Sequence, residues 1–297
     1  MSVTTNRAAE PGVRHDSPDA PKTTDAQDGP NTAAGAAPRF QGATIARQIQ
    51  VLSGRSLRAL REPALVLPGI LEPILMLTVF SQVFKSVSQT TSFPAGVSYV
   101  DYLLPAFLVT SAVNAGLKSG VALTTEMNNG IIARFQSMPV HTGSVLVGRS
   151  VADTVLSAVN LLAMLVAGAL VFGFSPDGGV LGALGALMVA TVLGWSLGWV
   201  FMALSAWLRR PEAMQPVGGI INMVLLFASN AFVPTDGLPG WLRGFAEVNP
   251  MSHAITAARE LALGEPRLSS VLVPLGICVA VVVLMAPLAI HNFRRVK

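Results

Sequence analysis

Six long apolar runs, separated by polar segments, set the pattern of the chain from residue 64 onward. A helix rises 1.5 Å per residue, so about 20 apolar residues are needed to cross the hydrocarbon core of a bilayer. The fifth run is the shortest, and it reaches this length only if Gln215 and Pro216 join it or a helix returning from the far side meets it. The pattern predicts an all-α integral membrane protein with six transmembrane helices. The runs are Ala64–Phe84, Leu103–Ala122, Val151–Phe174, Val180–Trp207, Val217–Val233 and Ser269–Ile290.

The segment before the first run has helical periodicity and a basic face. At 100° per residue, Ile49 and Leu52 fall on one side of residues 43–62, and Arg55 and Arg58 fall on the other. A basic amphipathic helix beside a spanning segment suits the surface of an anionic leaflet, where each cation contributes on the order of 1 kcal/mol. We therefore expect an amphipathic interfacial helix on the cytoplasmic face.

The distribution of charge predicts how the chain crosses the membrane. Only 12% of the residues are charged and 52% are hydrophobic, whereas soluble domains average about 25% charged. With the amino terminus inside, the inner flanks hold eleven Lys and Arg residues and the outer flanks hold four. Residues 63–297 then form a multi-pass membrane domain with both termini cytoplasmic. Residues 1–42, rich in Pro, Ala, Thr, Asp and Gly, are predicted to be a disordered cytoplasmic tail.

Two polar stretches between the runs carry most of the candidate chemistry. On the predicted inner side, residues 124–149 (TTEMNNGIIARFQSMPVHTGSVLVGR) contain charges at Glu126, Arg134 and Arg149. On the predicted outer side, residues 234–266 contain a Pro/Gly turn, a short amphipathic stretch, an Asn-Pro turn and a helix rich in Ala and Leu. The outer stretch predicts a pair of short re-entrant helices that lie on the outer leaflet or dip into it.

The order of these elements resembles the type-2 ABC exporter permeases, and most closely their daunorubicin/doxorubicin-resistance branch. The resemblance covers residues 43–297, and the outer stretch is its most specific part, because spans alone would not place those residues there. It implies a dimer of permeases, either a homodimer or a pair with a related permease, bound on the inside to a separate ABC ATPase subunit. The outer family motif consists of Pro234, Leu238, Pro239, Trp241, Asn249, Pro250 and Arg259.

The chain itself lacks the phosphate-binding loop of an ATPase. No G-x-x-x-x-G-K-[ST] sequence occurs in it, so ATP and Mg are expected on the partner subunit and no cofactor is expected in this chain. The residues also give no support for enzymatic chemistry or a metal site. His141, His253 and His291 are scattered, and the single cysteine, Cys278, lies in an apolar run.

The inner stretch is, under this resemblance, the segment that couples the permease to its ATPase. Charged residues there would select and orient the partner, while Ile131 and Phe135 would anchor it. The alternative is a solvated loop whose charges only enforce the membrane topology. The predicted coupling residues are Glu126, Gly130, Ile131, Arg134, Phe135, Pro139 and Arg149.

A few polar and aromatic residues inside the apolar runs mark a candidate substrate path. Glu72 falls about nine residues into the first run, near mid-bilayer, where a carboxylate is costly. It either attracts a cationic amphiphile or makes a structural hydrogen bond. In the family, the second and fifth helices line the interface between protomers, which places Asn114, Asn222, Phe227 and Asn230 on the path. Hydrogen bonding between helices is the competing explanation for these residues.

Small residues in the fourth run indicate close packing between helices. Gly182, Gly185, Gly194 and Gly198 all fall within it, and the last two are four residues apart. This spacing lets two backbones approach each other on one helix face.

The combined prediction is the membrane-spanning subunit of an exporter in a bacterial plasma membrane. Its substrate would be a hydrophobic or amphipathic drug or natural product, with membrane lipids as surroundings and no nucleic acid partner. Export of a lipid or a lipid-linked glycan is the alternative within the same class. A membrane scaffold that recruits cytoplasmic proteins without transporting anything is the alternative from another class.

Overall fold

The computed structural model describes residues 71, 74–80, 82–83, 97–129, 142–232, 237 and 239–294. Within these ranges the regular secondary structure is helical and no strand occurs, which confirms the predicted all-α class. Residues 74–80 are helical and belong to the first predicted run. The longer elements are α1 (Tyr99–Asn128), α2 (Thr142–Phe172), α3 (Gly179–Leu208), α4 (Pro211–Phe227), α5 (Gly240–Val248), α6 (Pro250–Ala262) and α7 (Leu268–Arg294).

Four of these helices are long and apolar enough to cross a membrane: α1, α2, α3 and α7. They correspond to the second, third, fourth and sixth predicted runs. The fifth run appears as α4, which has 17 residues and is therefore slightly short of a full span, as its sequence indicated. The first run lies largely outside the described residues, as do the predicted tail at 1–42 and the predicted amphipathic helix at 43–62. The six-span layout therefore stays a prediction.

The helices on either side of the inner polar stretch extend further than the apolar runs indicated. α1 continues to Asn128, and α2 begins at Thr142, nine residues before the predicted start at Val151. The extra turns of α2 pack against the rest of the protein, because Ser144, Leu146 and Gly148 are buried and the residues between them are half-buried. Glu126 and Arg149 consequently lie on helices, and only residues 129–141 connect α1 to α2.

α1 is the central helix of the bundle. Its most apolar part is 67% buried, whereas the corresponding part of α7 is only 11% buried. It packs against α2, α3, α4 and α6, with Leu103, Leu104 and Leu108 fully enclosed. α2 and α7 instead expose many large apolar side chains, for example Leu170 and Val283. Such outward-facing apolar surface is expected of helices in contact with lipid or with another subunit.

α1 and α3 approach each other closely at glycines. Gly116 of α1 lies against α3, and a Cβ atom on it would be 3.0 Å from the Gly194 carbonyl oxygen and 3.1 Å from Gly198 Cα. A Cβ atom on Gly194 would lie only 2.6 Å from the Ala112 carbonyl oxygen. The close packing predicted from the spacing of Gly194 and Gly198 is confirmed, and α1 is the partner helix.

These distances predict that two alanine substitutions in α3 differ in their effect on the stability of the protein. Gly194→Ala is expected to destabilise the protein by about 1–3 kcal/mol, because α1 and α3 must move apart to accept the methyl group. Gly198→Ala is expected to be neutral, since its nearest new neighbour would be Gly116 Cα at 3.7 Å, an ordinary contact. The check is the Tm of each purified variant in detergent. Equal Tm values for the two variants would show that this helix contact is not as close as described.

Gly182 and Gly185 of α3 also pack closely, but against α6 rather than another span. A Cβ atom on Gly182 would lie 2.2 Å from the Leu261 carbonyl oxygen, and Gly185 faces the Leu261 side chain. Just before α3, the Gly178 amide donates to the Ala262 carbonyl at 2.9 Å. The end of α6 is thereby fixed against the start of α3.

Candidate functional site

An ion pair joins the two helices that flank the inner polar stretch. Arg149, two turns into α2, pairs with Glu126 in the last turn of α1. The Arg149 Nε atom also lies 3.4 Å from Asp153 Oδ2, an electrostatic contact without hydrogen-bond geometry. Asp153 accepts a hydrogen bond from Ser119 on α1. These charges therefore hold the last turn of α1 and the third turn of α2 together, on the two sides of the connection formed by residues 129–141.

The two charges of this pair differ in accessibility. The Arg149 side chain is 16% exposed and the Glu126 side chain is 44% exposed. Glu126 is therefore the more available of the two for contact with another protein, while Arg149 mainly neutralises its neighbours. Their predicted role in ATPase coupling stays a prediction. The remaining predicted coupling residues lie outside the described residues: Gly130, Ile131, Arg134, Phe135 and Pro139.

The carboxyl-terminal end of α1 is also bound to the carboxyl-terminal end of α3. The hydroxyl groups of Thr124 and Ser205 share a hydrogen bond, and Asn128 Nδ2 donates to the Arg209 carbonyl at 2.9 Å. Arg209 adopts a left-handed conformation (φ 56°) that ends α3. Sequence reasoning did not select these residues. For Asp153 the i, i+4 spacing from Arg149 was an available signal.

Two of the predicted path residues meet between α1 and α4. Asn222 Nδ2 lies 3.5 Å from Asn114 Oδ1, a long hydrogen bond between half-buried side chains. Asn222 Oδ1 is buried, and within the described ranges it has no hydrogen-bond partner. A buried acceptor without a partner costs free energy, so its presence needs an explanation.

The outward side of α4 is a continuous apolar face. Ile220, Met223, Val224 and Phe227 are between 57% and 62% exposed. The Phe227 ring lies 6.1 Å from that of Phe232, which in turn belongs to an aromatic cluster with Phe80 and Phe107. Phe227 is therefore the accessible edge of this cluster.

Asn230, another predicted path residue, is not at this face. Asn230 is buried, and its Nδ2 atom donates to Thr256 Oγ1 on α6 at 2.8 Å. This contact joins the segment after α4 to the outer helices, as expected of a hydrogen bond between helices. Glu72 lies outside the described residues.

Two short helices follow the fifth run, as the outer stretch predicted. α5 starts after Pro239 and exposes Trp241 and Phe245, large rings that suit the interface between a membrane and water. Asn249 separates α5 from α6, and Pro250 occupies the first turn of α6, where its missing N–H costs nothing. Two members of the outer motif, Pro234 and Leu238, are not among the described residues.

The Asn249 side chain joins three pieces of backbone. Its Oδ1 atom accepts from the Met251 amide at 2.9 Å and so caps α6. Its Nδ2 atom donates to the Leu225 carbonyl at 2.7 Å and to the Ala228 carbonyl at 2.9 Å. The helix end of α4 and the helix start of α6 are therefore linked through one buried amide.

Arg259 of α6 is a buried cation held by backbone carbonyls and an aromatic ring. Its Nε atom donates to the Tyr102 carbonyl at 3.1 Å, and Nη2 donates to the Asn230 and Ala231 carbonyls at 3.3 and 3.4 Å. Its Cζ atom lies 3.5 Å from the centre of the Tyr102 ring. Burial lowers the pKa of the Arg259 guanidinium, although this group stays protonated in proteins. Arg259 thus connects α6 to α1 and to the segment after α4.

Comparisons of the sequence with known proteins all indicate the same family. The sequence model of the ABC-2 type transporter matches residues 47–263. The daunorubicin resistance ABC transporter permease protein DrrB1 of Streptomyces coeruleorubidus is 33% identical over 232 residues, which are 78% of this chain and 80% of that protein.

More distant relatives match over similar lengths. The probable doxorubicin resistance ABC transporter permease protein DrrC of Mycobacterium tuberculosis is 28% identical, covering 79% of this chain and 83% of the relative. The putative transport permease ycf38 of Porphyra purpurea is 27% identical, covering 75% and 76%. These matches confirm the resemblance found in the motifs. The chain belongs to the ABC-2 type transporter family, whose members are permease subunits of membrane transporters and not enzymes.

Proposed function

We propose that this chain is the membrane subunit of an exporter that moves a hydrophobic or amphipathic drug or natural product out of a bacterial cell. The family match over residues 47–263 carries the proposal, and relatives named for daunorubicin and doxorubicin resistance support the substrate class. ABC-2 permeases work with an ATP-binding subunit. We infer that this subunit is a separate protein, that it binds ATP and Mg, and that both termini of the permease are cytoplasmic.

The exposed side of α4 supports the proposal of a permease dimer. Ile220, Met223 and Phe227 present apolar surface that a second permease would cover. The buried Oδ1 atom of Asn222, which has no hydrogen-bond partner among the described residues, lies on the same helix and would gain a donor from a group that enters between α1 and α4. We place the substrate path along this side of α1 and α4, with Asn114, Asn222 and Phe227 as its described members, and with Glu72 as a proposed one.

The proposed ATPase contact is the connection between α1 and α2. Glu126 supplies an accessible charge on α1 just before this connection, and Arg149 on α2 pairs with it. Arg134 and Phe135 lie between Glu126 and Arg149 in sequence, so they are well placed to orient and anchor the ATPase.

The proposal predicts a specific loss of coupling. In everted membrane vesicles that contain the permease and its ATPase, Arg134→Glu and Phe135→Ala are each expected to lower ATP-driven uptake of an amphipathic fluorescent drug about tenfold or more. The amount of permease in the membrane should not change, because neither substitution touches an apolar run. Arg210→Glu is the control, since Arg210 is an exposed cation between α3 and α4, outside the coupling segment.

Two results would contradict the proposal in different ways. Normal uptake by both variants would exclude the coupling role of residues 124–149. Absence of ATP-driven uptake by the parent protein, tested with a panel of cationic, neutral and lipid-like amphiphiles, would exclude drug export. Uptake of only the lipid-like compounds would indicate that the protein exports a lipid or a lipid-linked glycan instead.

A further inference from the structure

An apolar groove of about 380 Å³ lies between α2 and α3, at the end of the bundle where these two helices are joined. Its floor consists of the buried side chains of Leu165, Phe174 and Ala183, and its walls include the exposed side chains of Val166 and Val180. Both helices are long and apolar enough to span a membrane, so in a bilayer the open side of the groove would be accessible to lipid. Its volume falls within the roughly 300–1,000 Å³ of sites that bind small molecules.

The turn between the helices leaves this groove open. Gly173 and Gly179 adopt left-handed conformations (φ 68° and 61°), which favour glycine, and a Cβ atom on either would meet no heavy atom within 4 Å. The Phe174 amide donates to the Gly168 carbonyl at 3.3 Å, which fixes the start of the turn. The two glycines of this turn therefore add no side chain to the groove, which Phe174 and Pro176 of the same turn line.

Two carboxylates lie beside the turn that lines the groove, although they are not part of its lining. Asp101 Oδ1 accepts a hydrogen bond at 3.2 Å from the amide of Ser175, a residue that lines the groove. Asp177 is exposed, follows two residues later and is close enough to act electrostatically on Asp101. In the part of the chain that the structure describes, neither carboxylate takes part in a salt bridge. The turn therefore attracts cations and repels anions.

We propose that the groove binds a membrane phospholipid whose head group carries an ammonium, with one acyl chain between α2 and α3. The ammonium would lie beside Asp101 and Asp177. Phosphatidylethanolamine has both features, whereas phosphatidylglycerol would bring a net negative charge towards two carboxylates. The groove is formed by α2 and α3, so this site is distinct from the substrate path proposed along α1 and α4.

The test uses the full-length permease, purified in mild detergent and incubated with equal amounts of phosphatidylethanolamine and phosphatidylglycerol. Native mass spectrometry is expected to show about a tenfold excess of bound phosphatidylethanolamine, in line with two partly exposed ion pairs. Asp177→Asn is expected to reduce this excess to about threefold, and the double change with Asp101→Asn is expected to abolish it. Glu247→Gln, which removes an exposed carboxylate from α5, should leave it unchanged.

A second pair of variants tests the acyl chain. Ala169 lines the groove and is exposed, so Ala169→Trp is expected to fill the groove and reduce binding of both lipids severalfold. Leu170→Trp is the matched control, because the neighbouring side chain is exposed but does not line the groove. A tetradecyl trimethylammonium ion is expected to displace the bound lipid at a lower concentration than tetradecyl sulfate does.

Three results would overturn the proposal: equal retention of the two lipids by the parent, an unchanged preference in Asp177→Asn, or equal displacement by both surfactants. Asp177 is exposed, so its variant stays informative even if Asp101→Asn, which alters the partner of the Ser175 amide, fails to fold. Binding is measured without ATPase. Its failure would therefore leave the export proposal intact, and failure of export would leave the lipid site intact.

Discussion

Replacing Asn249 by aspartate is expected to remove most of the folded permease from the membrane, with a destabilisation of about 3–5 kcal/mol. An aspartate keeps the acceptor that caps α6 at the Met251 amide. It loses both donors, however, and places a buried negative charge against the Leu225 and Ala228 carbonyls. A buried charge beside two acceptors is far more costly than a missing hydrogen bond.

The Asn249 prediction includes an order of variants and a pH dependence. Asn249→Ser retains a cap and introduces no charge, so its Tm should lie between those of the parent and of Asn249→Asp. Burial favours the protonated form of the new carboxyl, which then donates to one carbonyl, so the aspartate variant should recover stability as pH falls from about 8 to 5. The parent is the control for general acid effects. An aspartate variant with the parent's Tm at pH 8 would contradict the three-way link made by Asn249.

Replacing Arg259 by leucine is expected to destabilise the permease by about 3 kcal/mol or more. The Asn230 and Ala231 carbonyls, which lie outside regular helix, would lose a charged donor in a buried position. The contact with the Tyr102 ring would be lost as well. The outer helix α6 should then separate from α1, with a lower Tm and less monodisperse protein on size exclusion.

Arg259→Lys separates the effect of charge from that of geometry. Lysine keeps the positive charge but not the planar fork that reaches carbonyls on two segments. We therefore expect an intermediate Tm, closer to that of Arg259→Leu than to that of the parent. Arg243→Leu on α5 is the matched control, because it removes a half-exposed arginine that pairs with Glu247, and such pairs contribute little. A lysine variant as stable as the parent would show that charge alone holds α6.

Local sequence patterns predicted the elements of the fold well. The apolar runs gave four helices of spanning length, and the Asn249-Pro250 turn correctly separated two short helices, because a capping side chain and a helix-starting proline act within a few residues. The spacing of Gly194 and Gly198 correctly indicated a close helix contact, since it follows from helical periodicity alone. These features require no knowledge of distant partners.

Partners distant in sequence could not be predicted in the same way. Glu126 and Arg149 were selected as charges for an external protein, and their pairing across 23 positions is visible only in three dimensions. The partners of Arg259 and Asn249 are mostly backbone carbonyls. Every residue has a backbone carbonyl, so the sequence does not indicate which one is the partner.

The continuity of α1 has a mechanical consequence. Its 30 residues form a rod of about 45 Å, with Tyr102 near one end fixed to Arg259 and with Glu126 near the other. Pro105, which interrupts the hydrogen-bond ladder, lies close to the fixed end. Glu126 lies about 36 Å from Tyr102 along the helix, so a tilt of about 10° around Tyr102 displaces Glu126 by about 6 Å. If α1 tilts as one body, the contact with Arg259 is its fixed point, and a looser contact shortens the displacement that reaches Glu126.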